Sequence, residues 1–199
     1  MINKIFHYHR SSKHNQHAFA PGPGQLDWAS QPDPFRRYEG AEVFPLIKAA
    51  QTEGPTFSEA LTPNKVSACP LNLESISQLF FDCLALSAWK SFQGSKWALR
   101  VNPSSGNLHP TEGYLVCGPI QGLTDEPSVF HYSPETHGLE IRAHFSMETW
   151  EKMRLSEDTL FVGLSSIHWR EAWKYGQRAY RYCQHDLGHA LAALNISCA

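Results

Sequence analysis

Between Arg100 and Tyr114 the chain reads RVNPSSGNLHPTEGY, which gathers a guanidinium, three small hydroxyls, two amides, an imidazole, a carboxylate and a phenol in one short run. Pro103 fixes one φ and biases Asn102 to extended geometry, while Gly106 permits a positive φ and close approach of a ligand. Successive amides in such a turn can form a nest for an anion or heteroatom, to which Ser104, Ser105 and Asn107 add side-chain donors and acceptors. By residue type alone, the favoured reading is a loop whose Ser and Asn satisfy their own backbone. Position and flanking sequence must decide between the two.

A second constellation is His185-Asp-Leu-Gly-His189, which has two imidazoles one helical turn apart in the manner of a zinc-binding HExxH. Asp186 replaces the longer Glu, Gly188 lowers helix propensity, and no third ligand is marked among the dispersed histidines. No metal site is therefore assigned to this motif. His7, His9, His14 and His17 lie on a polar arm and are given no chemistry. The five cysteines form no CxxC pair, which points to neither a disulfide framework nor a thiolate site and suits a reducing cytoplasm; Cys83, Cys117 and Cys183 read as small buried hydrophobes.

The elements that must position these groups follow from periodicity. Leu73, Ile76, Leu79, Phe80, Cys83, Leu84 and Leu86 keep helical spacing behind a possible Asn72 cap, predicting a helix that ends near Gly94. GYLVCG reads as a buried strand, PSVFHYSPETHGLEIRAHF as a hairpin turning at Ser133 to Gly138, and TLFVGLSS as another strand after a helical SMETWEKMRL. From about Ile167 to the end the chain reads as helical, with Leu187, Ala190, Leu191 and Leu194 in an apolar stripe. Prolines and glycines punctuate residues 1–70, which predicts an extended arm whose LDWASQPDPFRRYEG segment docks on a core; residues 71–199 form the ordered domain. The order of elements predicts an α+β fold, helices packed on a mixed or mostly antiparallel sheet. Trp89, Trp97, Trp169 and Trp173 are expected mainly as core or interface anchors.

The runs WKSFQGSKWALRVNPSSGNLHPTEGYLV, LDWASQPDPFRRYEG and YRYCQHDLGHAL resemble the SagB-type dehydrogenases, a branch of the FMN-dependent nitroreductase superfamily that includes thiazoline and oxazoline oxidases. The resemblance implies a nitroreductase-like fold that binds FMN where two such domains meet, as a homodimer or with a complementary second domain. It places Pro103, Ser104, Ser105, Gly106 and Asn107 in the flavin-contacting turn. Arg100 is the candidate for the flavin phosphate or pyrimidine edge, since a guanidinium offers two parallel charge-assisted bonds. His109 and Tyr114 are the candidate proton carriers. The family's basic stretch ahead of the first core helix has only Lys65 as a counterpart, so Lys90, Lys96 or Arg100 is left to bind phosphate. Family members also continue past the helix matching HDLGHALAAL into further strands, so the domain is expected to be incomplete at its C-terminus.

The net charge of −2 and a pI near 6.6 provide no basic field for nucleic acid or an anionic membrane, and no apolar run reaches the length of a membrane span. The leading expectation is an FMN oxidoreductase, or the N-terminal part of one, transferring hydride through flavin N5 to or from a small-molecule or peptidic substrate, with NAD(P)H as a candidate donor. Its competitors are an inactive truncated domain that partners a complementary flavin domain, and a metal hydrolase built on His185 and His189.

Overall fold

The computed structural model describes residues 2–48, 54–156 and 159–198. In chain order it contains helix α1 (Ile2–Ser11), strand β1 (Val43–Pro45), helices α2 (Phe57–Ala60) and α3 (Leu73–Leu84), strands β2 (Leu86–Phe92), β3 (Ser95–Arg100), β4 (Thr111–Cys117), β5 (Ser128–Ser133) and β6 (Gly138–His144), helix α4 (Met147–Lys152), strand β7 (Leu160–Ser166), and helices α5 (His168–Tyr175) and α6 (Ala179–Ser197). Five strands form one antiparallel sheet in the order β1-β6-β5-β4-β7, and β2 pairs only with β3. The fold is α+β. Because β1 pairs with β6 and Leu46 is buried in the core, the sheet draws on residues before 70 as well as after.

Helix α3 begins where the sequence says it should: Asn72 Oδ1 accepts from the Ser75 N–H at 3.0 Å, and Ser75 Oγ accepts from the Asn72 N–H at 3.1 Å. It buries Ile76, Leu79, Phe80, Cys83 and Leu84 against Leu115, Cys117, Phe130, Tyr132 and Leu139 of the sheet. The Phe80 and Tyr132 rings stack at 4.7 Å. A methyl group on Gly113 would lie 2.5 Å from Leu84 Cδ1, so the helix approaches β4 as closely as a bare Cα allows. The expected hairpin at Ser133 to Gly138 is present as β5 and β6, and Cys83, Cys117 and Cys183 are buried with their thiols pushed up by desolvation.

Two expectations are corrected. The helix stops at Leu84 rather than near Gly94, because Ala85 turns to extended geometry and residues 86–100 fold back as a hairpin. Its two-residue loop is Gln93 (φ 47°) and Gly94 (φ 84°), the left-handed pair that matches strand twist in a tight hairpin. The C-terminal stretch is helical as read, in two helices broken at Gly176 (φ 54°), but its apolar stripe is shifted: α6 turns Cys183, Asp186, Ala190 and Leu194 inward and leaves Leu191 exposed.

The sheet face away from α3 carries charge. Arg170 Nη1, from α5, donates to Glu112 Oε1 at 2.6 Å and to the His109 carbonyl at 2.6 Å. The His131 ring nitrogens meet Glu112 Oε2 at 2.8 Å and Glu140 Oε2 at 2.6 Å, and Glu140 Oε1 accepts from the Tyr38 N–H. This buried chain fastens α5 and the arm to one sheet surface. Next to Arg170, Glu171 is wholly buried and neither of its oxygens has a hydrogen-bond partner among the described residues. Burial first, and then the nearby Asp186 carboxylate, push its carboxyl up to about 8.

Two outcomes follow for stability. Glu112→Gln should cost about 3–5 kcal/mol in urea unfolding because it strands the Arg170 charge, whereas Glu148→Gln at the exposed Lys152 pair should cost less than about 1 kcal/mol; equal losses would contradict this. Glu171 is the opposite case, a carboxyl whose folded pKa lies above its unfolded value of 4.5. The folded chain keeps a proton that the unfolded chain releases, so stability falls as pH rises from 4.5 to about 8, by about 1.4 kcal/mol per pH unit at most. Glu171→Gln should remove that component of the slope in melts taken across the window, and an unchanged slope would refute the assignment.

Candidate functional site

The polar run folds as the connection from β3 to β4, with a single 3-10 turn at Ser105–Asn107. Gly106 (φ 63°), Asn107 (φ 61°) and His109 (φ 48°) all occupy the left-handed region, at roughly 1–2 kcal/mol for each residue other than glycine. The compensation comes from α6. Ser104 Oγ donates to Asp186 Oδ2 at 2.8 Å, Ser105 Oγ donates to Oδ1 at 2.9 Å, and the Ser105 N–H is shared between both oxygens at 3.0 and 3.2 Å. Hydrogen bonds to a charged acceptor contribute about 1.5–3 kcal/mol each, enough to outweigh the strain. Ser104 Oγ also accepts from the His109 N–H, and Asn107 Nδ2 donates to the Ala98 carbonyl at 2.9 Å.

The three polar side chains of the turn thus spend their bonding capacity inside the protein. They shape the turn and leave its peptide surface to face outward.

Against that turn α5 sets two residues that the sequence reading did not single out. A methyl group on Gly106 would lie 2.6 Å from Tyr175 Oη and 2.9 Å from Lys174 Cδ, and Lys174 Nζ is 3.5 Å from the Gly106 carbonyl oxygen. The close approach that glycine permits is made by the chain's own helix end. Burial foremost, with Glu171 adding, pushes the Tyr175 hydroxyl up to about 12, so it holds its proton at neutral pH. The available signal was the Lys-Tyr-Gly triplet itself, two proton carriers ahead of a residue that ends a helix.

Arg100 is buried, donating from Nη1 to the Thr111 carbonyl at 3.2 Å and from Nη2 to the Pro34 carbonyl at 2.5 Å. Desolvation lowers it to about 10, which leaves it a cation tied to the arm. His109 is buried too; its Nε2 donates to Asn107 Oδ1 at 2.9 Å, and desolvation, then the Arg100 charge, push it down to about 3. A neutral, enclosed imidazole of this kind props the turn. Tyr114 lies on the charged sheet face, its hydroxyl 3.2 Å from that of Tyr38 and its ring beside His131. The structure therefore does not bring Tyr114 together with the turn.

Beside Asn107 opens a cleft of about 200 Å³ between residues 31–35 and the β2–β3 hairpin, walled by Phe35, Trp89, Trp97 and Ala98 with Lys96 at its edge. Lys96 Nζ lies 4.4 Å from the Trp89 ring centre. Trp89, Trp97 and Trp169 are surface residues rather than core anchors. In the HDLGH motif, Asp186 is turned inward to the serines while His185 and His189 face out. Among the described residues, no group of three His, Cys, Asp or Glu side chains is placed to hold a metal ion.

No family model matches the chain. A provisionally named nitroreductase of Methanocaldococcus jannaschii is 23% identical over 126 residues, 60% of this chain and 59% of its own length. Among solved structures, a provisionally named nitroreductase from Anabaena variabilis superposes on 96% of this chain with a TM-score of 0.69 and 27% identity, using 37% of its own chain. A similarly named protein from Ralstonia eutropha covers 78% of this chain and 70% of its own at TM-score 0.56 and 17% identity. The Escherichia coli microcin synthetase McbBCD complex, with truncated pro-MccB17 bound, covers 98% and 76% at TM-score 0.51 and 18% identity. The chain spans little over half of its curated relative and about a third of the Anabaena protein, and its α+β fold is nitroreductase-like.

Proposed function

We propose that this chain is the flavin-supporting part of an FMN-dependent oxidoreductase of the SagB-type dehydrogenase branch, completed by a second copy or by a complementary nitroreductase-like domain. The observation that carries the reading is the turn at Pro103 to Asn107, held from behind by Asp186 and covered at Gly106 by Lys174 and Tyr175. The nitroreductase-like fold supports it, and the runs that resemble the SagB-type dehydrogenases point to this branch.

The residues present fit the cofactor. Aromatic walls at Phe35, Trp89 and Trp97 suit a planar ring, and two ammonium groups, Lys96 and Lys174, suit its electron-rich oxygens and phosphate. Bound FMN would supply hydride chemistry at its N5 position.

The chain's own residues then divide the remaining work. The 103–107 peptide supports the ring edge, and Asp186, through Ser104 and Ser105, fixes its height and tilt. Tyr175 holds a proton at neutral pH and presents it beside the turn, with the Lys174 ammonium alongside. His109 serves as a neutral prop and Arg100 as the anchor of the arm, so Tyr175 takes the proton-carrying role first considered for His109 and Tyr114. The substrate is a small molecule or peptide, and NAD(P)H is the candidate electron donor.

A cleft of about 200 Å³ is smaller than the roughly 300 Å³ at which ligand sites usually begin, which supports completion by another domain. Purified with FMN, the full chain should retain flavin absorbance in a species with the mass of two chains, or on mixing with a complementary domain. Asp186→Asn, which loses the charge that holds the turn, should weaken retention roughly tenfold. Tyr175→Phe should keep the flavin and slow turnover with substrate. Protein that stays colourless with FMN in both assemblies would overturn the proposal.

A further inference from the structure

A second group of basic residues lies outside the cleft, at the start of α6. Helix α1 packs on the start of α6 through Tyr8 and Ser12, one helical turn apart. The Tyr8 hydroxyl accepts from the Arg181 N–H and donates to the Gln177 carbonyl, both at 3.0 Å, and Ser12 Oγ accepts from Arg181 Nε at 3.1 Å. This seam brings Arg178 and Arg181 against His14 and His9. Beside it lies an open basin of about 390 Å³ lined by His9, Arg10, Lys13 and Asn15.

Three features of this junction call for an anion. The first is charge: no Asp or Glu precedes Asp27, and among the described residues no ion pair involves Arg10, Lys13, Arg178 or Arg181. The two arginines also sit at the N-terminal end of a 19-residue helix, where the helix dipole disfavours cations. The second is a donor conflict at His14. Its Nδ1 faces the Ala20 N–H at 3.0 Å and its Nε2 faces Arg178 Nη1 at 2.7 Å. A neutral imidazole accepts at only one ring nitrogen, so one of these contacts opposes two N–H groups unless an acceptor draws the guanidinium away. The third is that the Arg178 Nε is buried without a hydrogen-bond partner among the described residues.

We infer that Arg178, Arg181, His9, Arg10, Lys13 and His14 form a binding site for a phosphate group at the junction of α1 and α6. Phosphate matches this set because it offers several acceptor oxygens and a double negative charge to the guanidinium and ammonium donors gathered at this junction. The site adjoins the turn: the Arg178 guanidinium lies 5.4 Å from the Tyr175 ring centre, and Tyr175 is the residue packed on Gly106. That its phosphate belongs to the cofactor or to a nucleotide electron donor rests on the flavin reading above. The site itself rests on its own residues.

Calorimetric titration of the full chain with inorganic pyrophosphate tests it, beside parallel titrations with FMN, riboflavin, NADPH and NADH. Arg10 and Lys13 make no side-chain hydrogen bond or ion pair among the described residues, so the double variant Arg10→Glu, Lys13→Glu should melt at the wild-type temperature. The wild type should bind pyrophosphate with an affinity that falls with added salt, and the double variant should lose at least roughly tenfold. A preference for FMN over riboflavin that disappears in the variant identifies the cofactor phosphate as the ligand; a lost preference for NADPH over NADH identifies the donor. No pyrophosphate binding by the wild type at concentrations on the order of 10 mM, or equal binding by both proteins, overturns the site. Flavin binding without a pyrophosphate response would overturn the site and leave the flavin reading intact. Pyrophosphate binding without any flavin would support the site and overturn that reading.

Discussion

A single buried carboxylate organises this molecule. Asp186 has surrendered its water, and it is compensated by three donors, all from Ser104 and Ser105. Neither partner can move alone, since a shift of the turn would strand the charge and a rotation of α6 would release the serines. The phase of α6 is fixed by the same requirement: Cys183, Ala190 and Leu194 share its inward face, and Ala190 and Leu194 join the core that α3 builds against the sheet. One negative charge at this place also leaves no room for a second, which is one reason Glu171 stays neutral and wholly buried on the neighbouring helix.

The consequence for chemistry is a separation of tasks. Side chains that look like ligand donors in the sequence hold the backbone in a left-handed path, and on the proposed reading the groups left to meet a ligand are peptide surface, Lys174 and Tyr175. The strain at Asn107 and His109 is thereby offset by bonds formed within the protein rather than by bonds to a ligand. The turn therefore has its shape before anything binds, and pre-organisation of that kind raises affinity by reducing what binding must order.

Much of the fold was legible because it follows local rules. The Asn72 cap, the spacing from Leu73 to Leu84 and the alternation along β4 to β6 each state their own answer. The β2–β3 hairpin was not legible: Leu86 extends the helical spacing by one step, and Gln-Gly is a weaker turn signal than Asn-Gly, so the pattern ran on past the true end at Leu84. The site was half legible. The turn is contiguous and could be read, but its counterparts Lys174, Tyr175 and Asp186 lie some seventy to eighty residues later in sequence, as the separations of 68 and 82 positions to Gly106 and Ser104 show. Arg100 misled for the same reason, because the carbonyl of Pro34 that captures it belongs to an arm 66 positions earlier.

What the arm does with that capture bears on how a site could be completed. Residues 22–40 run from Gly176 across Trp173, Arg100 and Tyr114 to Glu135, touching the end of α5, the start of the turn and the sheet face in one pass. The path leaves one wall of the cleft to Phe35 and the other to a hairpin whose Trp89, Phe92 and Trp97 remain open to solvent. An exposed aromatic wall of this kind is costly in isolation and is recovered when another surface covers it. A planar ligand laid against this wall would cover only part of it, because Phe35 and Trp89 already pack on each other at 6.1 Å, and Phe92 at the hairpin tip would still be bare. On the proposed reading, ligand and partner would have adjoining claims on the same hairpin.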